Sequence, residues 1–313
     1  MASIQCRFPS LRLRFSTIFP GRRTLKTISI IGCGDIGQRV ATLWLHKGMA
    51  VHALSRTPEQ RPELQASGIA LHSGDLDRPG NHSTIPTQDA LLYYFAPPPG
   101  DGEDDPRMRH FLDTIPTTQL PVRVVYISTS GVYGDCQGAL VTEQTPPQPA
   151  TQRARRRLAA EATLLRWGAQ HNVAITILRV GGIYGPGRLP LARIRQQAPL
   201  LLRSEAPFSN RIHADDLARI CLLAGQHRGP STLYNTCDGE HSTMTDYFLA
   251  VAAAAAMPPP PQVSWREAKQ LLSPAMLSYL TESRRLDNSK LVQTLEYEFL
   301  YPNLKAGLPS CFT

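Results

Sequence analysis

Three glycines near the start of the chain separate a short apolar run from a longer helical pattern. The run Ile28-Ser29-Ile30-Ile31 predicts a buried strand, and a helix is predicted over 36–47. The glycines of the G-x-G-x-x-G segment between them would permit a tight turn, let a pyrophosphate approach the backbone, and let the helix pack closely on the strand. Because free amides at a helix N-terminus attract anions, the pattern predicts a dinucleotide-phosphate site formed by Gly32, Gly34, Asp35, Ile36 and Gly37. The alternative is a strand-to-helix turn without a ligand.

The residues after the second predicted strand bear on the choice of dinucleotide. This strand covers 50–54, and Ser55 and Arg56 follow it directly. In folds that select NAD, an acid at this position binds the ribose hydroxyls and would repel a 2′-phosphate. Ser55 can donate a neutral hydrogen bond to that phosphate and Arg56 a charge-assisted one, which favours NADP over NAD. NAD as the cofactor, and Arg56 as a solvated loop cation, stay open as alternatives.

Two later strand ends complete the predicted cofactor site. After the third predicted strand, 69–72, Asp75 and Leu76 are placed to contact the adenine. After the fourth, 90–95, Ala96 and Pro97 begin a proline-rich turn that would form a stiff wall beside the nicotinamide. Proline-rich turns also occur without ligands, so this last assignment has a plain structural alternative.

Short apolar runs alternate with helical stretches along the chain, and two further strands are predicted over 122–127 and 173–178. Strands and helices in this order predict an α/β fold, a Rossmann-type doubly wound parallel sheet covered on both faces. Turn-rich segments beyond residue 181 predict a small C-terminal substrate lobe. We therefore expect an NADP-binding domain over 27–180 and a mixed region over 181–313 that completes the sheet and forms the lobe.

The composition excludes several classes of protein. The chain has 313 residues, of which 42% are hydrophobic and 19% charged, enough to bury a large core. The longest apolar run, 248–257, is too short to span a membrane. No two of the six cysteines lie within four residues of each other, and the histidines show no H-x-x-x-H spacing. The sequence thus predicts no metal site and favours a reducing compartment.

The net charge of +8 is concentrated at the N-terminus. Residues 1–26 carry six basic residues and no acid, whereas the remainder has 27 basic and 25 acidic residues. A nearly neutral body gives no steering field for polyanions, so we expect no nucleic-acid partner. The leader is predicted to be disordered and is similar to an organellar transit peptide, the alternative being an extension or a start placed too far upstream. We expect a cytoplasmic protein, or a mitochondrial or plastid one if the leader is a transit peptide.

A series of motifs from the fifth predicted strand onward resembles one enzyme family. The motifs, in chain order, are Tyr126-Ile127-Ser128-Thr129-Ser130-Gly131-Val132-Tyr133-Gly134, Glu143-x-x-Pro146, Leu178-Arg179-Val180-Gly181-Gly182-Ile183-Tyr184-Gly185-Pro186-Gly187, Arg211-Ile212-His213-Ala214-Asp215-Asp216-Leu217-Ala218 and Tyr234-Asn235-Thr236-Cys237-Asp238. Together with the glycine loop, they resemble the extended short-chain dehydrogenases/reductases, the NAD-dependent epimerase/dehydratase family. The resemblance extends from about residue 27 to the C-terminus, and the form of the glycine loop is similar to an atypical bacterial, YeeZ-like branch.

The family's chemistry depends on a tyrosine and a lysine four residues apart, the lysine lowering the pKa of the phenol so that it can exchange a proton with substrate. Aligned through 158–161, this chain has Arg153 at the tyrosine position and Arg157 at the lysine position. The resemblance leaves Thr129 and Tyr133 as catalytic candidates. An arginine stays charged and cannot donate that proton, but Arg153 and Arg157 share one helix face and can bind an anion.

Further candidates come from the same comparison. Arg284 lies in a stretch similar to the one by which the family's C-terminal lobe reaches the substrate, and it is a candidate for an anionic group. The alternative for the arginine run is a solvated stripe, which the sequence favours for Arg155 and Arg156. His213 and Tyr184 are expected to be structural.

Two classes of function follow. The sequence favours an NAD(P)-dependent, epimerase/dehydratase-like oxidoreductase that acts on a small anionic or sugar-nucleotide-like substrate, with no membrane or nucleic-acid partner and with a homodimer left open. The missing Tyr/Lys pair supports the alternative of a non-catalytic NADP-binding sensor or scaffold. A third alternative, RNA binding through the leader and the arginine run, lacks the interleaved aromatic residues that such sites use.

Overall fold

A computed structural model describes Leu25, residues 27–78 and residues 85–312. The predicted leader over 1–26 therefore lies, apart from Leu25, outside the described residues. In chain order the strands are β1 (Thr27–Ile31), β2 (Ala50–Ser55), β3 (Ala70–Ser73), β4 (Leu91–Tyr94), β5 (Arg123–Thr129), β6 (Leu140–Val141), β7 (Ala174–Val180), β8 (Gly182–Tyr184), β9 (Leu200–Leu201), β10 (Phe208–Ser209), β11 (Arg211–His213), β12 (Thr232–Thr236), β13 (Ser242–Thr243), β14 (Gln262–Val263) and β15 (Arg285–Leu286).

Helices connect most of these strands. They are α1 (Asp35–Leu45), α2 (Pro62–Ala66), α3 (Pro106–Asp113), α4 (Gln152–His171), α5 (Leu191–Arg195), α6 (Ala214–Gln226), α7 (Met244–Ala254), α8 (Trp265–Leu271), α9 (Pro274–Leu280), α10 (Ser289–Leu295) and α11 (Leu304–Gly307), with short 3₁₀ helices at Pro58–Gln60, Ser130–Tyr133 and Leu308–Cys311. No helix in the described ranges is long and apolar enough to cross a membrane.

The central sheet has seven parallel strands in the order β12-β7-β5-β4-β1-β2-β3. The chain adds strands outward from β1 on one side and then returns to build outward from β4 on the other. The strand order therefore reverses between β1 and β4, and ligands of such sheets bind outside the carboxyl ends of the strands at this point. This topology confirms the predicted Rossmann-type doubly wound fold.

Alternating side chains on the strands divide the core between the two faces of the sheet. On β4, Leu91 and Tyr93 belong to one apolar cluster, whose helices are α1 and α6. Leu92 and Tyr94 belong to the other cluster, with α3 and α4. The faces are joined to their helices by specific contacts as well as apolar ones, for example the hydrogen bond from Trp44 Nε1 to the Tyr93 hydroxyl at 2.9 Å.

The six strands predicted from apolar runs are all present, with ends that differ by at most two residues. The strand β12 was not predicted, because its sequence, Thr232-Leu233-Tyr234-Asn235-Thr236, has no continuous apolar run. It pairs in parallel with β7 at the edge of the sheet. The region beyond residue 181 thus contributes one strand, β12, to the sheet.

Short two-stranded pairings occupy much of the C-terminal region. The pairs are β8 with β11, β9 with β14, β10 with β13 and β6 with β15. A third apolar cluster holds part of this region together, and it includes Tyr184, Ile194, Tyr247, Phe248 and Val251. The division at residue 180 and the role of this region as a substrate lobe stay predictions.

Candidate functional site

The three loop glycines meet three different surroundings. Gly32 has a φ of +93°, and a Cβ there would lie 2.4 Å from the backbone nitrogen of Ala96. A Cβ on Gly37 would lie 2.8 Å from the carbonyl oxygen of Gly32. A Cβ on Gly34 would meet no protein atom within 4 Å. Gly32 and Gly37 are thus required by close packing within the protein, whereas the space beside Gly34 is open to a ligand.

A cavity of about 370 Å³ lies beside this loop. Of the predicted cofactor residues, those that line it are Gly32, Gly34, Ser55, Arg56, Asp75, Leu76, Ala96 and Pro97. The lining also includes Arg61 and Arg107, which the sequence analysis missed because each belongs to a loop or helix end with no motif. The open space at Gly34 and the polar groups after β2 and β3 fit the phosphates and the ribose of a dinucleotide.

Three predicted cofactor residues are placed differently. Ile36 and Gly37 are buried at the start of α1, and neither lines the cavity. Asp35 is engaged with two arginines, since it accepts a hydrogen bond from Arg39 Nε at 2.9 Å and another from Arg188 Nε. Burial opposes ionisation of Asp35, but the two arginines outweigh it and lower the pKa of this carboxyl. The two arginines thus hold the Asp35 carboxylate outside the cavity lining, and the contact of the Asp35 amide with a phosphate stays a prediction.

A second cavity, of about 590 Å³, shares Pro97 with the first. It lies over the ends of β4, β5 and β7 and is bordered by α4 on one side and by β10, β11 and the segment after α9 on another. The predicted residues Thr129, Arg153, Arg157 and Arg284 line it. The lining also includes Arg156, Asn210, Arg211, Tyr279 and Glu282, which the sequence analysis did not assign to the site.

The arginines at the family's tyrosine and lysine positions have separate supports. Arg157 donates to the carbonyl oxygen of Ile127 at 3.0 Å and lies 3.3 Å from the Tyr126 hydroxyl. Arg153 stacks on the ring of Tyr279, with 3.8 Å from its Cζ to the ring centroid. Both guanidinium groups are therefore positioned at the cavity without a carboxylate hydrogen-bond partner in the described part of the chain.

The expectation of a solvated stripe is wrong for Arg156. Its side chain is 8% exposed and donates from Nη1 to the carbonyl oxygen of Gly102 at 2.7 Å, so that it lies at the cavity. Arg155 does lie toward solvent, in an ion pair with Glu103 at 2.9 Å. The loop before α3 supplies both partners, the Gly102 carbonyl for the buried Arg156 and the exposed Glu103 carboxylate for Arg155.

Arg284 reaches the cavity from the segment before β15. Its Nη1 donates to the carbonyl oxygen of Gly134 and to Glu282 Oε2, the latter at 3.0 Å. The Arg284 Nε and Glu282 Oε1 atoms are shielded from solvent and have no hydrogen-bond partner. These unused donors and acceptors leave capacity for a ligand at this wall.

The structure removes one predicted catalytic residue from the cavity. Tyr133 is buried outside the lining, and its hydroxyl donates to Asn235 Oδ1 at 2.7 Å. Burial raises the pKa of Tyr133, which makes it a poor proton donor as well as an inaccessible one. The assignment of Tyr133 to catalysis is therefore corrected to a structural role beside β12.

Thr129 is the remaining hydroxyl that the sequence analysis nominated. It ends β5 at the cavity, and its Oγ1 accepts a hydrogen bond from the Gly131 amide at 3.1 Å. The accepted bond leaves the hydroxyl hydrogen of Thr129 available to donate into the cavity. Tyr184 offers no replacement phenol, because its hydroxyl donates to the Asn303 carbonyl oxygen and burial raises its pKa.

A buried ion pair holds α4 against the sheet beneath this wall. Glu161 accepts hydrogen bonds from Arg179, the shortest being 2.7 Å from Nη2 to Oε2, and another from the Ser128 hydroxyl. The two charged side chains are 2% and 6% exposed. Ser128 precedes Thr129 directly, so the pair fixes both the arginine helix and the end of β5.

His213 is structural, as expected. Its Nδ1 accepts from the Asp215 amide at 3.2 Å at the start of α6. Burial lowers the pKa of His213 to about 4, so the ring is neutral at physiological pH. The described residues contain no cluster of three or more side chains that could hold a metal ion.

The fold and the cavity at its strand ends define an NAD(P)-binding protein of the Rossmann type. Residues 107–237 match the sequence model of the NAD dependent epimerase/dehydratase family. Over 303 aligned residues it is 24% identical to protein YeeZ of Escherichia coli K12, with 89% of this chain and 97% of YeeZ covered.

Solved structures give the same result for the fold. A functionally unknown conserved protein from Silicibacter pomeroyi is 29% identical and superposes with a TM-score of 0.78, covering 91% of this chain and 98% of its own. A UDP-glucuronic acid 4-epimerase from Bacillus cereus, solved with NAD, is 18% identical with a TM-score of 0.71, covering 91% and 95%. The predicted family resemblance is confirmed by the match over residues 107–237 and by these similarities.

Proposed function

We propose that this chain is an NADP-dependent, epimerase/dehydratase-like oxidoreductase for a small anionic substrate. The observation that carries the proposal is the charge of the larger cavity. Glu282 is the sole acidic residue in its described lining. Five arginines line the same cavity: Arg153, Arg156, Arg157, Arg211 and Arg284. Such a wall concentrates positive potential where a substrate would meet the cofactor, and it selects for anions.

The dinucleotide would be held by the glycine loop and by the residues after β2. A bound nicotinamide dinucleotide supplies hydride transfer. Ser55 Oγ accepts from the Thr57 amide at 3.3 Å, which leaves its hydrogen for a ribose phosphate. Arg56 is exposed at the same wall of the cavity, where its charge can reach that phosphate. These two residues support NADP, and the cofactor preference is part of the proposal.

The chain's own contribution to chemistry would come from Thr129 and the α4 arginines. Thr129 can donate a hydrogen bond to a substrate oxygen, and Arg153 and Arg157 can hold an anionic group and stabilise negative charge that develops there. The family's tyrosine position holds Arg153, and Tyr133 and Tyr184 are committed to protein partners. The phenol in the described lining is that of Tyr279, which stacks with Arg153 and has no lysine beside it in that lining. We therefore expect turnover below the roughly 10 per second that is typical of enzymes.

A non-catalytic sensor is the second candidate, and the replacement of the Tyr/Lys pair by arginines favours it. The two candidates are separated by incubating the protein and NADP⁺ with a panel of UDP-sugars and small hydroxy acids and following NADPH absorbance. Reduction that depends on substrate, and that falls in Thr129→Val, supports the enzyme. Tight binding of dinucleotide and anion, with neither NADPH formation nor any chemical change in the recovered substrates, supports the sensor, because an epimerase or dehydratase returns the hydride and leaves no net NADPH.

The cofactor preference gives one prediction. Replacing Arg56 by alanine is expected to weaken NADPH binding about tenfold and to leave NADH binding unchanged, because only NADPH carries the 2′-phosphate. Fluorescence titration of both reduced cofactors measures the difference. Arg166→Ala, an exposed arginine of α4 outside both cavities, is the control. Equal affinity of the unmodified protein for the two cofactors would rule out the proposed selectivity.

The arginine pair on α4 gives a second prediction. The double change Arg153→Tyr with Arg157→Lys is expected to weaken binding of inorganic phosphate about ten- to hundredfold, since it removes one guanidinium and replaces the other by a point charge. NADPH affinity should not change, because neither residue lines the smaller cavity. Isothermal titration at saturating NADPH measures both. Unchanged phosphate affinity would show that these arginines are ordinary surface charges.

A further inference from the structure

Arg211 lies at the start of β11, and its guanidinium packs closely against neighbouring residues. One face of the group stacks on the Tyr247 ring, with 3.8 Å from its Cζ to the ring centroid. Its partner on the neighbouring strand β8 is Gly182, where a Cβ would lie 2.3 Å from Arg211 Nη1. Any side chain at position 182 would therefore displace the guanidinium. Glycine at that position thus leaves room for the guanidinium, which stacks on the Tyr247 ring at the cavity wall.

The charge of Arg211 has no anionic partner within the described chain. Its Nη2 contacts Met244 Sδ at 3.2 Å, a weak acceptor, and its Nε is shielded from solvent without a hydrogen-bond partner. The nearby Asp238 forms no ion pair with Arg211 in the described residues, and burial raises the pKa of its carboxyl to about 8. Burial also lowers the pKa of Arg211, although a guanidinium stays charged in proteins.

An unpaired cation in a protein interior is unfavourable for folding. Arg211 is nevertheless fixed in place, and it borders the larger cavity. Its supports, Gly182, Met244 and Tyr247, are separate from those of Arg153 and Arg157 on α4. The cavity thus contains two independently held positive positions.

We propose that Arg211 is a second anion-binding position, which takes a carboxylate or phosphate of the substrate other than the group held by Arg153 and Arg157. This inference rests on the proposed function and narrows it, because the substrate is then at least dianionic. The terminal nitrogens of a rigid guanidinium suit a bidentate oxyanion. The adjacent Arg284, which has an unpartnered Nε, adds to the positive charge at this wall.

The test uses the full chain saturated with NADPH and the probes inorganic phosphate, pyrophosphate and tripolyphosphate, titrated calorimetrically. Arg211→Met is expected to weaken tripolyphosphate binding about ten- to hundredfold. Gly182→Ala keeps Arg211 but places a methyl group where its guanidinium lies, so this variant should also bind tripolyphosphate more weakly. Arg166→Met is the matched control. Because the methionine removes a half-buried charge that has no ion pair in the described residues, the melting temperature of Arg211→Met should be equal to or above that of the unmodified protein.

The outcomes separate this inference from the function on which it rests. Wild-type affinity for every probe in Arg211→Met overturns the second position. If the Arg153→Tyr, Arg157→Lys double variant then still loses affinity, the proposed function stands without it. If neither set of changes alters binding, both proposals fail. If Arg211→Met does not fold, Gly182→Ala decides the question alone, and unchanged binding there counts against the second position.

Discussion

Replacing Glu161 by alanine is expected to lower the free energy of unfolding by about 3–5 kcal/mol, the largest loss of stability we predict for a single substitution in this chain. The change leaves Arg179, whose side chain is 6% exposed, as a buried cation without its counter-ion. It also removes the acceptor of the Ser128 hydroxyl. Chemical denaturation followed by circular dichroism measures the effect.

The control for this prediction is Glu103→Ala. Glu103 pairs with Arg155 at 2.9 Å, but the two side chains are 62% and 41% exposed, and an exposed pair contributes about 0–1 kcal/mol. A loss of the same size in both variants would contradict our view that burial makes the Glu161 pair different. Since Ser128 precedes Thr129, we also expect the α4 arginines to bind phosphate less tightly in Glu161→Ala at temperatures where it remains folded.

Replacing Gly34 by alanine is expected to weaken dinucleotide binding by about a hundredfold or more while leaving stability nearly unchanged. A Cβ at this position meets no protein atom within 4 Å, and the residue has a φ of −80°, which alanine adopts readily. The methyl group would occupy the space through which a pyrophosphate approaches the backbone. Titration with NADPH and a thermal melt, on the same sample, measure the two effects.

Gly32→Ala is the informative comparison. There the added Cβ would lie 2.4 Å from the Ala96 nitrogen, and the positive φ disfavours any side chain. We expect this variant to lose several kcal/mol of stability, roughly 3 or more, together with its cofactor affinity. If Gly34→Ala bound NADPH as tightly as the unmodified protein, the glycine loop would have to be a turn without a ligand.

The fold could be predicted because its signals are local. Runs such as Ile28-Ser29-Ile30-Ile31 are apolar at all but one position, as is typical of buried parallel strands, and the glycine pattern marks the first strand-to-helix turn. β12 was missed because its polar residues are satisfied by partners far away in sequence. Asn235, for example, is bonded to Tyr133, to Glu143 and to the carbonyl of Asp287.

The cavity walls were predictable only in part, for the same reason. Spacing placed Arg153 and Arg157 on one helix face, but it could not distinguish Arg156 from Arg155. The carbonyl that accepts from Arg156 belongs to Gly102, which is distant in sequence. Tyr133 is close to Thr129 in sequence, yet its partner lies 102 residues further along the chain. Arg211 stood inside a recognised motif, and only the packed Tyr247 and Gly182 reveal its isolated charge.

The close contact between Gly32 and Ala96 connects the glycine turn to the backbone segment that borders both cavities. The amides of Phe95 and Ala96 both donate to the Ile31 carbonyl oxygen, at 2.7 and 2.9 Å, so that the glycine turn and the proline segment beginning at Pro97 form one stiff backbone unit. Main chain of the glycine turn thus borders the smaller cavity, whereas long side chains on α4, on β11 and after α9 line the larger one. Point mutations of these side chains can therefore change which substrate the larger cavity binds without altering the smaller cavity. Proteins with this arrangement can diverge in their chemistry and keep the same coenzyme.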